Sequence, residues 1–209
     1  MAVSAAKENI LKRIRQALSN PVPLPFPHSE GTTSVYTSTA EDTAIVFAEE
    51  FTKLQGKFAF CTSEHDLKDQ LKKLISERNW TKVFYKEEKV KALLNGQPSF
   101  LDLAGCDVSI TGCECLVART GTIVMSSAQQ SGRTTSVYAP VHICIAYTYQ
   151  MMYDLSDAFS FLQQTYNNQI PSQITFASGP SRTADIEKTL VTGVHGPKEV
   201  YCFLVEATV

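Results

Sequence analysis

The 209-residue sequence predicts an α/β protein built on a parallel sheet with crossover helices, entered through a separate helix and a proline-rich arm. Three observations predict it. Residues 39–96 alternate helix-type and strand-type segments, the order a parallel sheet needs because each strand must be carried back to the same end by a crossover. Charge is uneven: of the 19 basic and 21 acidic residues, 27 lie in 1–104 and 13 in 105–209, so the second half holds more buried strand. Four prolines in PVPLPFP, residues 21–27, favour a stiff extended segment ahead of the domain.

The elements follow in order. Residues 4–18 read as a helix, with Ile10, Leu11, Ile14 and Leu18 in one stripe, and Asn20-Pro21 ends it. Residues 28–38 are a polar Ser/Thr-rich loop. Residues 1–38 are thus an appendage to a domain over 39–209, and the appendage either packs on its own domain or reaches a second copy of the chain. Thr39 to Asp42 fits a capping box opening a helix to about Gln55, with Gly56 ending it. Lys57 to Cys61 is a short strand, Ser63 to Asp66 caps a helix to about Asn79, Lys82 to Tyr85 is a strand, and a short helix ends near Gly96. Cys106 to Thr111 is a strand, and residues 114–119 make a turn or short helix. Thr122 to Ser126 is a strand opened by Gly121, residues 127–136 are a polar loop, and Val141 to Tyr147 is a strand. A helix over Met151 to Tyr166, a strand over Gln173 to Ala177, a helix over 183–192 and a closing strand over Val200 to Val205 complete the chain.

Composition narrows the function classes. A net charge of −2 excludes a general basic face for nucleic acid. The 20 residues between Arg133 and Asp154 carry no charge, the length of a membrane span. Pro140, His142, Thr148 and Gln150 interrupt the stretch, however, and Val141 to Tyr147 has the length of a core strand, so no membrane span is expected. Lys7 and Glu8 precede any apolar block, unlike a secretory signal, and a cytoplasmic location is the expectation. The six cysteines include no C-x-x-C pair, so metal is not expected. Cys61, Cys144 and Cys202 lie in apolar runs and read as small core residues. No dinucleotide, Walker A, G-x-S-x-G or H-E-x-x-H motif occurs, and nothing here is built to carry electrons.

The strongest local pattern is residues 173–197, in which a strand runs into Gly179-Pro180-Ser181-Arg182-Thr183 and then a helix. A helix start presents free N–H groups and a positive dipole end. With the hydroxyls of Ser181 and Thr183 and the guanidinium of Arg182, that would hold a small anion. The plain alternative is a Ser or Thr cap, with Arg182 paired to Asp185 or Glu187. His195, between Gly193 and Gly196, is a candidate acid, base or ligand-binding group, or a histidine bonded to its own turn. His142 reads either as a core histidine or as a cleft residue. Arg133 stands alone in a polar loop after a strand, where open α/β sheets bind ligands, and it either joins Arg182 in one cleft or is a solvated surface residue.

The run GPSRTADIEKTLVTGVHGPKE (179–199) resembles the signature of the LUD (lactate utilisation) domain family, small LutC/YkgG type. TGTIV (120–124) and PVHI (140–143) resemble two of its strands, and the likeness extends over essentially the whole chain. Arg119 stands where the pattern leads to an acidic residue. The resemblance implies a three-layer α/β/α sandwich like the NagB/RpiA/CoA-transferase fold. It implies work with LutA-like and LutB-like partners in oxidising L-lactate to pyruvate, with the iron–sulfur cluster in a partner and no cofactor in this chain. Under that reading Thr120, Thr122, Arg133, His142, Ser181, Arg182 and Thr183 bind a small anionic ligand, and His195 lines the same cleft. The alternatives are a stand-alone enzyme or binding protein for a phosphorylated, CoA-linked or folate-like molecule, with His195 or Asp185 as catalytic candidates, and a structural scaffold. A homodimer is left open.

Overall fold

The computed structural model describes residues 5–19, 42–186 and 189–207. The chain divides into two compact units, Met1–Thr37 and Ser38–Val209. In the first, α1 spans Ala5–Leu18. Its end is closed by Ser19, whose hydroxyl donates to the Gln16 carbonyl at 2.8 Å. The proline arm, the loop expected over 28–38 and Thr39 lie outside the described residues.

In the second unit, α2 (Thr43–Lys53) is capped by Asp42, whose carboxylate accepts from the Ala44 N–H at 2.8 Å. Then come β1 (Lys57–Cys61), α3 (Glu64–Glu77), β2 (Val83–Phe84), α4 (Glu88–Leu93) and β3 (Val108–Thr111). Ser63 caps α3 as expected. Asp66, however, reaches back to the Thr62 N–H at 2.9 Å, one residue further than a capping box would. β4 (Cys115–Val117), β5 (Thr122–Ser126), α5 (Thr135–Tyr138), β6 (Val141–Tyr147), β7 (Met151–Met152) and α6 (Leu155–Thr165) follow. The chain closes with β8 (Ile174–Ala177), β9 (Arg182–Ile186), β10 (Thr189–Thr192) and β11 (Glu199–Val205).

Three expectations fail here. The helix expected over Met151 to Tyr166 starts only at Leu155, because Met151 and Met152 pair with β4 as β7 and Asp154 caps the helix after them. Residues 183–192 form no helix: β9 and β10 pair as an antiparallel hairpin, Val191 opposite Thr183 and Thr192 opposite Arg182. Thr183, Ile186, Thr189, Val191 and Thr192 are β-branched, and side chains of that shape lose χ1 freedom on a helix and suit a strand. Residues 114–119 hold a strand as well as a 3-10 turn, because Cys115 to Val117 pair with β5 on one side and β7 on the other.

The main sheet has five parallel strands in the order β1-β11-β6-β3-β2. Period-two alternation sorts β6 between its faces. Val141, Ile143 and Ile145 meet Leu67, Leu71, Val90 and Leu93 of α3 and α4. Cys144 and Ala146 meet Phe47 and Phe51 of α2, together with Leu116 and Ile123 of a second sheet of order β7-β4-β5-β8. Helix α6 covers the far side of that second sheet through Ala158 and Leu162. The fold is thus the expected α/β class, a parallel sheet flanked by helices. Phe47 and Phe51 are fully buried and stacked with centroids 5.3 Å apart, each contributing about 2–3 kcal/mol by area. All six cysteines are buried free thiols. Among the described residues no helix is long and apolar enough to cross a membrane, and no group of three or more His, Cys, Asp or Glu is placed to hold a metal.

Candidate functional site

The residues singled out in the sequence go to four places. The first is the last turn of α2. Gly121 has φ +54°, and a Cβ on it would lie 2.4 Å from the Phe51 nitrogen; one on Gly179 would lie 2.6 Å from the Leu54 carbonyl oxygen. Both turns therefore close directly on helix backbone. Arg182 donates from Nη2 to the Leu54 carbonyl, satisfying one of the acceptors a helix leaves open at its C-terminus. Thr120 and Thr122 hydroxyls lie 2.7 Å apart, and Thr122 reaches the Ser178 hydroxyl at 2.7 Å. Ser178 was not singled out in the sequence; only its place at the end of β8 beside β5 brings it in. The Ser181 N–H donates to the Pro197 carbonyl at 2.9 Å, and Thr183 enters the hairpin. No helix begins here, so the expected anion site at a helix start over Ser181 to Asp185 is replaced by a packed joint. The backbone of Asp185 lies in β9.

The second place is the core. His142 is 1% exposed on β6, its Nε2 2.9 Å from the Thr111 hydroxyl. Burial pulls its pKa down to about 4, so it is neutral and packed rather than facing a cleft. Its neighbour in register, Ser109, is buried with an unpartnered hydroxyl. The third place is the surface. Arg133 is exposed and donates to the Ser172 hydroxyl at 2.5 Å. Ser172 precedes β8 and Arg182 follows it, so the two arginines lie at opposite ends of that strand and do not share a cleft. The fourth is the N-terminal edge of the parallel sheet. There His195 is exposed and lines a cavity of about 620 Å³ with Cys106, Tyr138, Pro140 and Lys198.

Arg119 forms a two-point pair with Asp154, at 2.7 and 3.0 Å. The guanidinium, first among the causes, holds the Asp154 carboxyl below its ordinary range, and Asp154 in turn caps α6. The basic residue at an expected acidic position is thus answered by a carboxylate 35 residues on.

Open parallel sheets bind ligands beyond the carboxyl ends of their strands. At that edge two cavities share Lys89, Tyr147 and Tyr149. One, of about 330 Å³, lies past β2, β3 and β6 and is lined by Glu87, Gly112, Gln130 and Gln150 among others. The other, of about 320 Å³, adds Glu64 and Lys68 from α3. The walls are fixed by polar contacts. Both Glu87 oxygens accept from the Gly112 N–H, at 3.0 and 3.1 Å, and Ser131 donates to one of them. Gln150 accepts from the Tyr147 N–H at 2.9 Å and donates to the Cys113 carbonyl at 2.7 Å. Tyr147 donates to Glu64 at 3.0 Å. Burial first, and that bond second, push its phenol well above the usual range. The Tyr147 and Tyr149 rings stack with centroids 5.5 Å apart.

Residues 100–205 match the LUD domain model. A curated relative, lactate utilization protein C of Shouchella clausii, is 37% identical over 100 residues, which are 47% of this chain and 43% of that protein. Lactate utilization protein C of Bacillus subtilis is 33% identical over 112 residues, 53% of this chain and 47% of that one. The chain thus matches less than half the length of these relatives. A crystal structure of a DUF162 family protein from Deinococcus radiodurans aligns with a TM-score of 0.58 at 18% identity, covering 79% of this chain and 99% of the other. That likeness concerns the fold alone.

Proposed function

The chain belongs to the LUD domain family, and from that premise we propose that it is a non-redox component of an L-lactate utilisation system. It works beside LutA-like and LutB-like proteins, one of which holds the iron–sulfur cluster, and it binds a small anionic ligand. The observation that carries the reading is the run of relatives named lactate utilization protein C. The ligand's place in this reading moves from the 181–185 turn to the carboxyl edge of the parallel sheet. Deleting the gene should abolish growth on L-lactate and spare growth on glucose, with the wild-type copy restoring it. Unchanged growth on L-lactate would refute the proposal.

One set of contacts favours a second reading, a scaffold. Gly121, Gly179 and Arg182 are all spent on closing turns against α2. A pull-down in which Arg182→Ala loses the partner proteins while remaining folded would support it, and full retention would count against it.

A further inference from the structure

We infer that the carboxyl-edge groove takes a small molecule with one anionic end and one planar ring, Lys68 and Lys89 holding the anion and Tyr149 the ring. This specifies the anionic ligand of the reading above and rests on it in that respect.

Lys68 comes from α3 and Lys89 from α4, and both line the 320 Å³ cavity. Lys57, Lys53 and Lys91 each have a carboxylate partner, whereas Lys68 and Lys89 have no hydrogen bond or ion pair among the described residues. The one carboxylate lining that cavity, Glu64, is engaged by the Tyr147 hydroxyl. Two unpaired ammonium groups from separate helices on one concave wall suit a phosphate or carboxylate.

The ring site follows from the tyrosines. Tyr147 is half-buried and Tyr149 is 65% exposed. Stacking on Tyr147 covers one face of Tyr149 and leaves the other for a flat ligand. The pair is held before any ligand arrives, because Gln150 ties the Tyr147 backbone to Cys113, and a preformed platform costs little ordering on binding.

The other half of the groove sets the number of charges. Glu87 and Glu88 line it, with Lys89 as its one cation, so a second anionic group there is repelled. Gln129 and Gln130 use their carbonyl oxygens on the Ser126 and Glu88 N–H groups. Their amide N–H₂ groups are left as donors toward acceptors on the edge of a ring.

The test is equilibrium dialysis of the full chain with flavin mononucleotide and adenosine 5′-monophosphate as planar anions. Riboflavin and adenosine supply the ring alone, inorganic phosphate and L-lactate the anion alone. At least one planar anion should bind more tightly than its separate parts. The double variant Lys68→Ala/Lys89→Ala should weaken it about tenfold and leave the uncharged ring compound unchanged. Tyr149→Ala should weaken it about 5- to 150-fold, the range that loss of one base–aromatic stack produces, while Tyr149→Phe retains binding. Circular dichroism confirms that each variant is folded. Failure of both planar anions to bind, binding indifferent to the double lysine variant or to Tyr149→Ala, or phosphate or lactate binding as tightly as the nucleotides would each overturn the inference. The growth phenotype on L-lactate is read separately: a null strain that fails to grow beside a chain that binds no planar anion refutes this inference and leaves the pathway reading intact.

Discussion

Gly121→Ala isolates what the TGT turn does. Gly121 sits at φ +54°, and a methyl group there would lie 2.4 Å from the Phe51 nitrogen and 2.7 Å from the Glu50 carbonyl carbon. Holding an L-residue in the left-handed region costs about 1–2 kcal/mol. The contact is with helix backbone, so no rotamer change relieves it. Shifting α2 away from its seat on the sheet adds about 1–3 kcal/mol, as overpacking does elsewhere. The expected loss is thus roughly 2–5 kcal/mol, or a melting temperature lower by about 4–20 °C for a chain of this size. Gly132→Ala is the matched control. Its φ is +66° and no atom lies within 4 Å of the added Cβ, so it should lose only the conformational part, about 1–2 kcal/mol. The gain from stiffening the unfolded chain is common to both and cancels in the comparison. Urea midpoints read side by side decide it. If Gly121→Ala loses no more than Gly132→Ala, the turn is not braced on α2, and the structural account of the TGT and GPSR segments is wrong.

Four further outcomes follow from the same contacts. Phe51→Ala empties a fully buried site beside Phe47 and should cost about 3–5 kcal/mol in denaturant unfolding. His142 has its pKa lowered from 6.5 to about 4 by burial, so the native state binds fewer protons between those values. Its contribution is complete above pH 6.5 and declines from there to pH 4, by about 3 kcal/mol in all. Urea midpoints should therefore fall more steeply over that range in the wild type than in His142→Gln, and parallel curves would contradict the neutral buried assignment. Arg182→Ala removes a donor to the end of α2 and should cost about 0.5–1.5 kcal/mol with no change in the thermal shift produced by phosphate; a phosphate effect lost in the variant would restore an anion site at that turn. All six thiols are buried, so a thiol reagent should label them slowly in the folded chain and completely in urea, with rapid native labelling as the contrary result.

The outcome of sequence reading varied with how much of each element's cause was local. β5 and β6 begin and end where expected, because Gly121 and Pro140 punctuate their starts and the uncharged runs that follow have the length of buried strands. β4 is three residues long and exists through its partners on both sides, so no periodicity announced it. The 183–192 segment carries a Ser/Thr cap followed by acidic residues, the pattern of a helix start, yet its β-branched residues pair as strands, Thr189 opposite Ile186 and Val191 opposite Thr183. The carboxyl-edge groove was the least legible. Its residues come from 64–68, 87–93, 112–113, 129–130 and 145–150, and only the strand order brings them to one edge. The rule that ligands sit beyond strand ends pointed at the 127–133 loop, but toward Arg133, whereas the same loop supplies Gln129 and Gln130 to the groove.

The strand order also bears on how the chain is made. Among the described residues β1 pairs with β11 alone, Lys57 beside Tyr201 through Cys61 beside Val205, across 144 positions of sequence. During synthesis from the N-terminus, β1 leaves the ribosome with its hydrogen-bonding edge unanswered, while β2, β3 and β6 can already assemble beside one another. Contacts this distant are slow to form and leave apolar strand exposed in the interval. β11 is the keystone: it closes the gap between an orphaned first strand and a finished three-strand sheet. A ribosome stalled before Glu199 would therefore hold a chain whose two parts have no backbone link within the sheet, and α2, seated partly on β11, would have only half its bed.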